Sequence, residues 1–312
     1  MEYNKLKILI TGGAGFIGSN ISNKLITLGC NVIVYDNLSR GNFSNLIKNP
    51  KLHLVKADIN NYEKLIQKMK KCDYIFHQAA LHLKGCEENP TKCITTNING
   101  SFNVFKAAVK SNVKKIIIAS SSSVYGSGYN KPAKEDDLPN SENNYAASKV
   151  AMEELCKSFY KKFNLNYTIL RYLNVYGPGQ HITSSYTNVI NHFLIKILKN
   201  NQPIINGDGK NTLDLIYIDD IVRANIFALS TKSNNEILNI GTGKQIKIID
   251  LLKKIQKITK TNLKPKFLKT NNNLIKHRTT SVYKAMKKLD FKPKYNLDQG
   301  LTLLIKWYKL NT

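Results

Sequence analysis

A glycine-rich segment near the start of the chain constrains the fold more than any other stretch. Residues 6–10 form an apolar run typical of a short buried strand, and residues 11–18 follow it directly. Within that segment Gly13, Gly15 and Gly18 match the dinucleotide fingerprint, and Gly12 adds a second set of glycines spaced three residues apart. A helical apolar pattern begins in the same segment. Such glycines allow a tight turn and close approach of a pyrophosphate, while the helix N-terminus attracts negative charge. The segment therefore predicts a dinucleotide-binding fold.

A second strand-like run, residues 30–36, ends in an acidic residue at the spacing expected of such a fold. Asp36 can accept hydrogen bonds from both ribose hydroxyls of NAD, and its charge would repel the additional phosphate of NADP. We therefore predict NAD as the cofactor. Arg40 is close enough in the sequence to keep NADP open as the alternative.

Apolar runs and helical patterns alternate through the rest of the first half. The strand-like runs are residues 52–58, 74–77 and 115–120, and the helical patterns are residues 62–70 and 101–111. This alternation predicts an α/β fold with a doubly wound parallel sheet, in which ligands bind at the carboxyl ends of the strands. The polar or small residues after strands and in crossovers become candidate cofactor contacts: Asp58, Gln78, Ala79, Ala80 and Asn97. For residues 78–80 a plain tight turn is the alternative.

Tyr145 and Lys149 are four residues apart in a segment with helical character, so both side chains lie on one helix face. A phenol titrates near 10, but a fixed ammonium nearby favours the phenolate. Lowering that pKa by about three units requires about 4 kcal/mol, which Lys149 and a positively charged cofactor can supply together. The pair therefore predicts a base, and a solvated surface pair is the alternative.

The formal charge of +26 suggests a polyanionic partner, yet the 47 basic residues include only four arginines, and the lysines are spread along the chain. Nucleic-acid binders use arginine's bidentate geometry and cluster their basic residues. We therefore predict no nucleic-acid partner and interpret the lysines as a compositional bias. A diffuse positive field would still attract a diphosphate substrate.

Five cysteines, an odd number without a Cys-x-x-Cys pair, favour a reduced environment. The first residues match neither a signal peptide nor a membrane span, and no pattern of metal ligands is present. We expect a cytoplasmic protein without a membrane partner or a metal.

Nearly the whole chain resembles the extended short-chain dehydrogenase/reductases, in their nucleotide-sugar epimerase and dehydratase branch. The motifs that carry the resemblance are residues 11–18, 36–37, 58–59, 77–80, 120–126, Tyr145 with Lys149, and residues 171–178, 207–209, 219–220 and 239–241. The resemblance adds the following cofactor contacts: Phe16, Ile17, Asn37 and Ile59. It also implies a homodimer formed through the helices that begin near Ser101 and Tyr145.

The resemblance further implies a Rossmann-type NAD domain with a smaller, interleaved α/β substrate domain. The NAD domain comprises residues 1–173 and about 212–243, and the substrate domain residues 174–211 and 244–312. In this family Ser121 is the catalytic hydroxyl and Tyr145 the acid/base. Lys149 binds the nicotinamide ribose and lowers the pKa of the tyrosine.

The reaction follows from the two residues after Ser121. Dehydratases and decarboxylases of the family usually carry an acid there, whereas this chain has Ser122 and Ser123, which we also predict to contact substrate. A serine lacks the acidity to protonate a leaving hydroxyl, so elimination is disfavoured. We predict epimerisation at C4 of a UDP-sugar. A decarboxylase, a 4,6-dehydratase, a keto-sugar reductase and a non-catalytic nucleotide sensor remain alternatives.

The second half supplies the predicted substrate contacts Asn174 and Asn188, although a turn-forming role is the alternative for Asn174. The family normally has an arginine directly before Asp214 that meets the diphosphate, but this chain has Leu213. Leucine cannot pair with phosphate, so the charge must come from elsewhere. Arg278 is the candidate; it could instead contact the sugar or lie on the surface.

Overall fold

The structure, a computed structural model, describes residues 2–127, 132–180, 188–269 and 277–311. Its strands are β1 (Lys7–Thr11), β2 (Asn31–Asp36), β3 (Leu52–Lys56), β4 (Tyr74–His77), β5 (Lys115–Ser121), β6 (Tyr167–Tyr172), β7 (Asn174–Tyr176), β8 (Ile204–Asn206), β9 (Thr212–Leu213), β10 (Leu215–Tyr217), β11 (Glu236–Ile240), β12 (Ile246–Lys247), β13 (Lys266–Leu268) and β14 (His277–Arg278). Its α-helices are α1 (Phe16–Thr27), α2 (Tyr62–Met69), α3 (Leu83–Glu88), α4 (Pro90–Cys93), α5 (Gly100–Lys110), α6 (Asn144–Phe163), α7 (Val189–Leu198), α8 (Ile218–Phe227), α9 (Ile248–Thr259), α10 (Tyr283–Leu289) and α11 (Leu297–Asn311).

Seven parallel strands form the central sheet in the order β11-β6-β5-β4-β1-β2-β3. The order reverses between β1 and β4, and ligands of open α/β sheets bind at the carboxyl ends of the strands at such a point. The predicted doubly wound sheet is confirmed. The sequence pattern had not predicted β6, which brings Arg171 and Tyr172 beside the end of β5.

Alternate residues of the central strands pack against helices on opposite faces of the sheet. Ile8 and Ile10 of β1 belong to the cluster that contains α1 and α8, whereas Leu9 belongs to the cluster that contains α2, α5 and α6. A parallel sheet covered on both faces needs apolar side chains in both directions. This explains why the strands read as continuous apolar runs.

Three small sheets follow β6. β7 pairs with β10, β8 pairs with β13, and β9 lies between β12 and β14. β7, β8, β12, β13 and β14 come from segments predicted to form the substrate domain, whereas β9 and β10 come from a segment assigned to the NAD domain. The chain returns to the central sheet through β11. The domain boundaries themselves stay a prediction.

A disulfide joins Cys86 and Cys93, whose Cα atoms lie 4.7 Å apart. The expectation of reduced thiols is therefore wrong for this pair, because the short connection between α3 and α4 brings the two sulfur atoms together. Cys30, Cys72 and Cys156 are free and buried. Among the described residues, every helix is too short or too polar to cross a lipid bilayer. A cytoplasmic location remains a prediction.

Candidate active site

The glycine loop after β1 is packed too closely to accept side chains. Gly12 has a φ of +65°, and a Cβ added there would lie 2.6 Å from the backbone nitrogen of Ala79. A Cβ on Gly18 would overlap the carbonyl group of Gly12. Gly15 is the N-cap of α1. The tight turn and the close packing predicted for these glycines are thus present, and the approach of a pyrophosphate stays a prediction.

A first cavity, the adenosine-side cavity, opens beside the loop at the carboxyl ends of β2 and β4. Its wall includes predicted cofactor residues: Gly12, Gly15, Asp36, Asn37, Ile59, Gln78, Ala79 and Ala80. The carboxylate of Asp36 is buried and oriented, since it accepts hydrogen bonds from the backbone nitrogens of Ala14 (3.0 Å) and Leu38 (2.8 Å). Asp58 lies behind the wall and accepts from the Asn37 amide at 2.7 Å.

A second cavity, the catalytic cavity, runs from the glycine loop to the predicted base. It is lined by Gly12, Gly15, Phe16, Ile17, Gly18, Arg40, Gln78, Ala80, His82, Ala119, Ser120, Tyr145, Lys149, Tyr172, Gln180 and Asn188. Seven predicted cofactor residues from the loop, the start of α1 and the end of β4 therefore line one cavity with both members of the base pair. The phenol of Tyr145 therefore shares one cavity with the glycine loop.

Helix α6 fixes the base pair. Its N-cap Asn143 accepts a hydrogen bond from the backbone nitrogen of Ala146 at 2.9 Å. The Nζ of Lys149 donates to the carbonyl of Ala119 at 2.9 Å and lies 5.7 Å from the centre of the Tyr145 ring. Lys149 is only 3% exposed, so the alternative of a solvated surface pair is excluded. Burial lowers the pKa of Lys149 to about 8, and the charge of Glu153 opposes this lowering.

The serine segment ends β5 beside this pair. Ser121 donates from its Oγ to the Oγ of Ser123 at 3.0 Å and accepts from the backbone nitrogen of Ser123 at 3.1 Å. Ser121 thereby caps a single helical turn that contains Ser122 and Ser123, both of which are buried. Ser120, immediately before Ser121, lines the catalytic cavity.

Of the substrate contacts predicted in the second half, Asn188 is among the residues that line the catalytic cavity and Asn174 is not. Asn188 lines it, caps α7 through Asn191, and donates to the side chain of Gln180 at 2.9 Å. Asn174 belongs to β7 and donates to the carbonyl of Asp214 at 2.9 Å, so it is a strand residue and not part of a turn.

A model of the NAD dependent epimerase/dehydratase family matches residues 8–241. The chain belongs to this family. It is 37% identical to a putative UDP-glucose 4-epimerase of Methanocaldococcus jannaschii, over 97% of this chain and 99% of the relative. It is 34% identical to a UDP-N-acetyl-alpha-D-glucosaminuronate decarboxylase of Bacillus cytotoxicus, over 98% of each chain. The solved structure of the UDP-N-acetylglucosamine 4-epimerase from Methanobrevibacter ruminantium M1, in complex with UDP-N-acetylmuramic acid, has a TM-score of 0.94 at 35% identity and covers 98% of this chain and 99% of that one.

Membership of an NAD-dependent family confirms the predicted cofactor. The residues present fit it: the bare backbone of the glycine loop faces Ala79, and the buried Asp36 carboxylate lies in the wall of the adenosine-side cavity. Two residues that line the cavities were not predicted as NAD contacts, although Arg40 was considered for NADP. Arg40 lines both cavities and His82 lines the catalytic cavity. His82 could have been predicted from the sequence, because it follows the predicted cofactor residues 78–80 by two positions. Burial and the charge of Arg40 lower the pKa of His82 to about 4.

The side chain of Asn97 makes several hydrogen bonds within the protein. Its buried amide accepts from the backbone nitrogen of Leu81 (2.7 Å) and donates to the carbonyl of Leu81 (3.0 Å) and the Oγ of Ser148 (3.0 Å). It does not appear among the residues that line the two cavities. In this family member Asn97 therefore ties the cavity wall to α6, and a direct contact with NAD stays a prediction.

The backbone of Arg278 pairs beside Leu213, the position of the missing family arginine. β9 and β14 pair in parallel with Leu213 opposite Arg278. Adjacent strands lie about 4.8 Å apart. The backbone of Arg278 is therefore one strand away from Leu213, where the family normally has its arginine.

Proposed function

We propose that this protein interconverts the C4 epimers of a UDP-hexose with NAD as a tightly held cofactor. The observation that carries the proposal is the catalytic cavity, in which Tyr145 and the buried Lys149 share one space with the glycine loop. Bound NAD⁺ supplies a hydride acceptor and, once reduced, the hydride donor. The same carbon is then oxidised and reduced without a second substrate.

Each protein group has a defined task in this proposal. Tyr145 as phenolate takes the proton of the 4-hydroxyl group while hydride leaves C4, and it returns the proton when hydride arrives on the opposite face. Lys149 as ammonium favours the phenolate. Ser121 donates a hydrogen bond to the oxygen of C4, which holds that oxygen in place while the ketone forms and disappears.

Serines in place of an acid support epimerisation over elimination. Ser122 and Ser123 are buried next to Ser121, and their hydroxyl groups lack the acidity needed to expel water. Decarboxylation is the second candidate, because a relative of nearly full coverage carries that name.

We propose that Asn174, Asn188 and Arg278 hold the nucleotide sugar. Asn188 supports this directly because it lines the catalytic cavity opposite the base. Arg278 supports it through its register beside Leu213. The proposal assigns the diphosphate to Arg278.

The experiment is an NMR assay of the purified protein with UDP-glucose, UDP-galactose, both N-acetyl analogues and UDP-glucuronate, with Tyr145→Phe as the control. We expect one C4 pair to equilibrate with the wild type and to stay unchanged with the variant. Release of carbon dioxide from UDP-glucuronate would favour decarboxylation instead. Equal turnover by both proteins would refute Tyr145 as the base.

We also propose a homodimer through α5 and α6. Phe102, Phe163 and Ile94 are 43%, 46% and 54% exposed, and Phe102 stacks edge-on against the buried Phe159 of α6. Exposed aromatic side chains next to buried ones are typical of subunit contacts. Light scattering should give twice the chain mass for the wild type and the chain mass for Phe102→Glu; a monomeric wild type would refute the dimer.

A further inference from the structure

The base pair is part of a longer row of side chains on α6. Tyr145, Lys149 and Glu153 follow one another at helical spacing, and Lys149 and Glu153 are 3% and 1% exposed. Glu153 forms a bidentate pair with Arg171 of β6, with 2.6 Å between Oε2 and Nη2 and 3.0 Å between Oε1 and Nε. A buried carboxylate is therefore fixed one turn beyond the catalytic lysine.

Glu153 also holds the strand that presents the reacting groups. Its Oε1 accepts a hydrogen bond from the Oγ of Ser120 at 2.5 Å. Ser120 lies between Ala119, whose carbonyl accepts from Lys149, and Ser121, the predicted catalytic hydroxyl. One carboxylate thus anchors the end of β5 that positions both Lys149 and Ser121.

Arg171 makes its remaining hydrogen bonds to Tyr125 and Glu135 and not to a partner of Lys149. Its Nη1 donates to the hydroxyl of Tyr125 at 2.8 Å and to the carbonyl of Glu135 at 3.1 Å. The Tyr125 hydroxyl in turn donates to the amide oxygen of Asn239 at 2.8 Å. Arg171 therefore fixes the carboxylate of Glu153 while Lys149 lies on the neighbouring turn of α6.

The groups that face Lys149 from other elements are neutral or positive. His77 of β4 is held neutral because burial and the charge of Lys149 lower its pKa to about 3. Tyr172 of β6 is also neutral, since burial raises its pKa. Arg40 and His82 share the catalytic cavity with Lys149. On α6 itself, Tyr145 lies one turn before Lys149 and is the group proposed to become the phenolate. Glu153 is the charge that opposes the loss of the proton from Lys149.

We propose that Glu153 is a positioning residue of the active site that anchors Ser120 ahead of Ser121 and keeps Lys149 in its ammonium form. The inference rests on the proposed function, since it concerns the same base pair. A purely structural role for the Glu153–Arg171 pair would change stability and leave the ionisation of Lys149 and Tyr145 unaltered.

The test compares Glu153→Gln with the wild type in the dependence of kcat/KM on pH. Loss of the negative charge makes Lys149 easier to deprotonate, so the alkaline limb should move to lower pH by about one unit. Glu153→Asp keeps the charge and should leave the limb in place while it lowers kcat, because the shorter side chain releases Ser120. Asp220→Asn is the matched control: it removes another fully buried carboxylate paired with an arginine, Arg223, away from the catalytic cavity, and should not move the limb.

A second measurement needs no substrate and separates this inference from the proposed function. The ultraviolet tyrosinate signal of Tyr145, isolated by subtraction of the matching Tyr145→Phe protein, should move along the pH axis in Glu153→Gln and stay in place in Asp220→Asn, because Glu153 acts on the phenolate both directly and through Lys149. If Glu153→Gln does not fold, Glu153→Gln with Arg171→Gln must move the tyrosinate signal. An unmoved alkaline limb and an unmoved tyrosinate signal in a folded variant would overturn the inference, whereas an inactive wild type with a moved signal would overturn only the proposed reaction.

Discussion

Replacement of Lys149 by methionine tests the electrostatic basis of the proposed base. The ammonium lies 5.7 Å from the centre of the Tyr145 ring. At an effective dielectric constant of about 20, two unit charges at that distance interact by about 3 kcal/mol, which equals about two pKa units. Tyr145 is half-buried, so solvent reduces this value, and we expect a shift between about one and two units.

The expected result for Lys149→Met is a loss of about tenfold to a hundredfold in kcat at neutral pH. The loss should shrink as the pH rises, because the phenol of Tyr145 then ionises without assistance from Lys149. The assay is the initial rate of C4 epimerisation as a function of pH, with wild type and variant at equal NAD content. Methionine keeps the length of the buried side chain but also removes the hydrogen bond to the carbonyl of Ala119, so the pH dependence of the loss, and not its size alone, identifies the effect of the charge.

Equal NAD content matters because Lys149 is also predicted to bind the nicotinamide ribose. A variant that loses activity by the same factor at every pH, with its cofactor still bound, would refute the electrostatic reasoning. A loss smaller than about threefold would refute it as well, since an interaction of the calculated size predicts more.

Three further predictions concern the loop, the diphosphate and the buried histidine. Gly18→Ala should release NAD and lower the midpoint of thermal unfolding, because the added methyl group overlaps the carbonyl of Gly12; a variant that copurifies with wild-type NAD content would contradict this. Arg278→Leu should raise KM for the UDP-sugar about tenfold to a hundredfold with little change in kcat, and Leu213→Arg added to it should restore KM, since the two positions are opposite each other on adjacent strands. His77 has both ring nitrogens bonded to buried hydroxyl groups, and its pKa is lowered to about 3 in the folded state. As the pH falls, the unfolded state therefore binds the proton before the folded state does. Relative to His77→Gln, the free energy of unfolding of the wild type should decrease between about pH 6.5 and 3, by up to about 1.4 kcal/mol per pH unit. An equal dependence of the free energy of unfolding on pH in both proteins, measured by chemical denaturation, would contradict this.

The elements predicted from periodicity were those in which the apolar pattern is uninterrupted. The strand predicted at residues 74–77 has the observed bounds, and the helical patterns at residues 62–70 and 101–111 agree with α2 and α5 to within one residue at each end. Strand β6 was missed, since Tyr167–Tyr172 carries a threonine and an arginine that interrupt the apolar run. The arginine is buried there because Glu153 neutralises it, which no local pattern can show.

In the candidate site too, residues that share one helix could be paired from the sequence, whereas contacts between separate segments could not. Tyr145 and Lys149 could be paired from their spacing alone because both belong to one helix. Asn97 was assigned to the cofactor from its place in a crossover, yet its amide bonds Leu81 and Ser148. The disulfide between Cys86 and Cys93 was not expected, because a spacing of seven residues brings two cysteines together only when the chain between them folds back.

The sequence by itself determined the glycine loop, the alternation of strands and helices, and the chemical identity of the base pair. Each of these depends on residues close together in the chain, where covalent spacing and helical or strand periodicity decide which side chains share a face. Only the tertiary structure decided that Lys149 is buried, that Glu153 meets Arg171 and Ser120, and that Arg278 lies beside Leu213. These contacts depend on which strands become neighbours, and that order follows from the packing of the whole sheet between its helices.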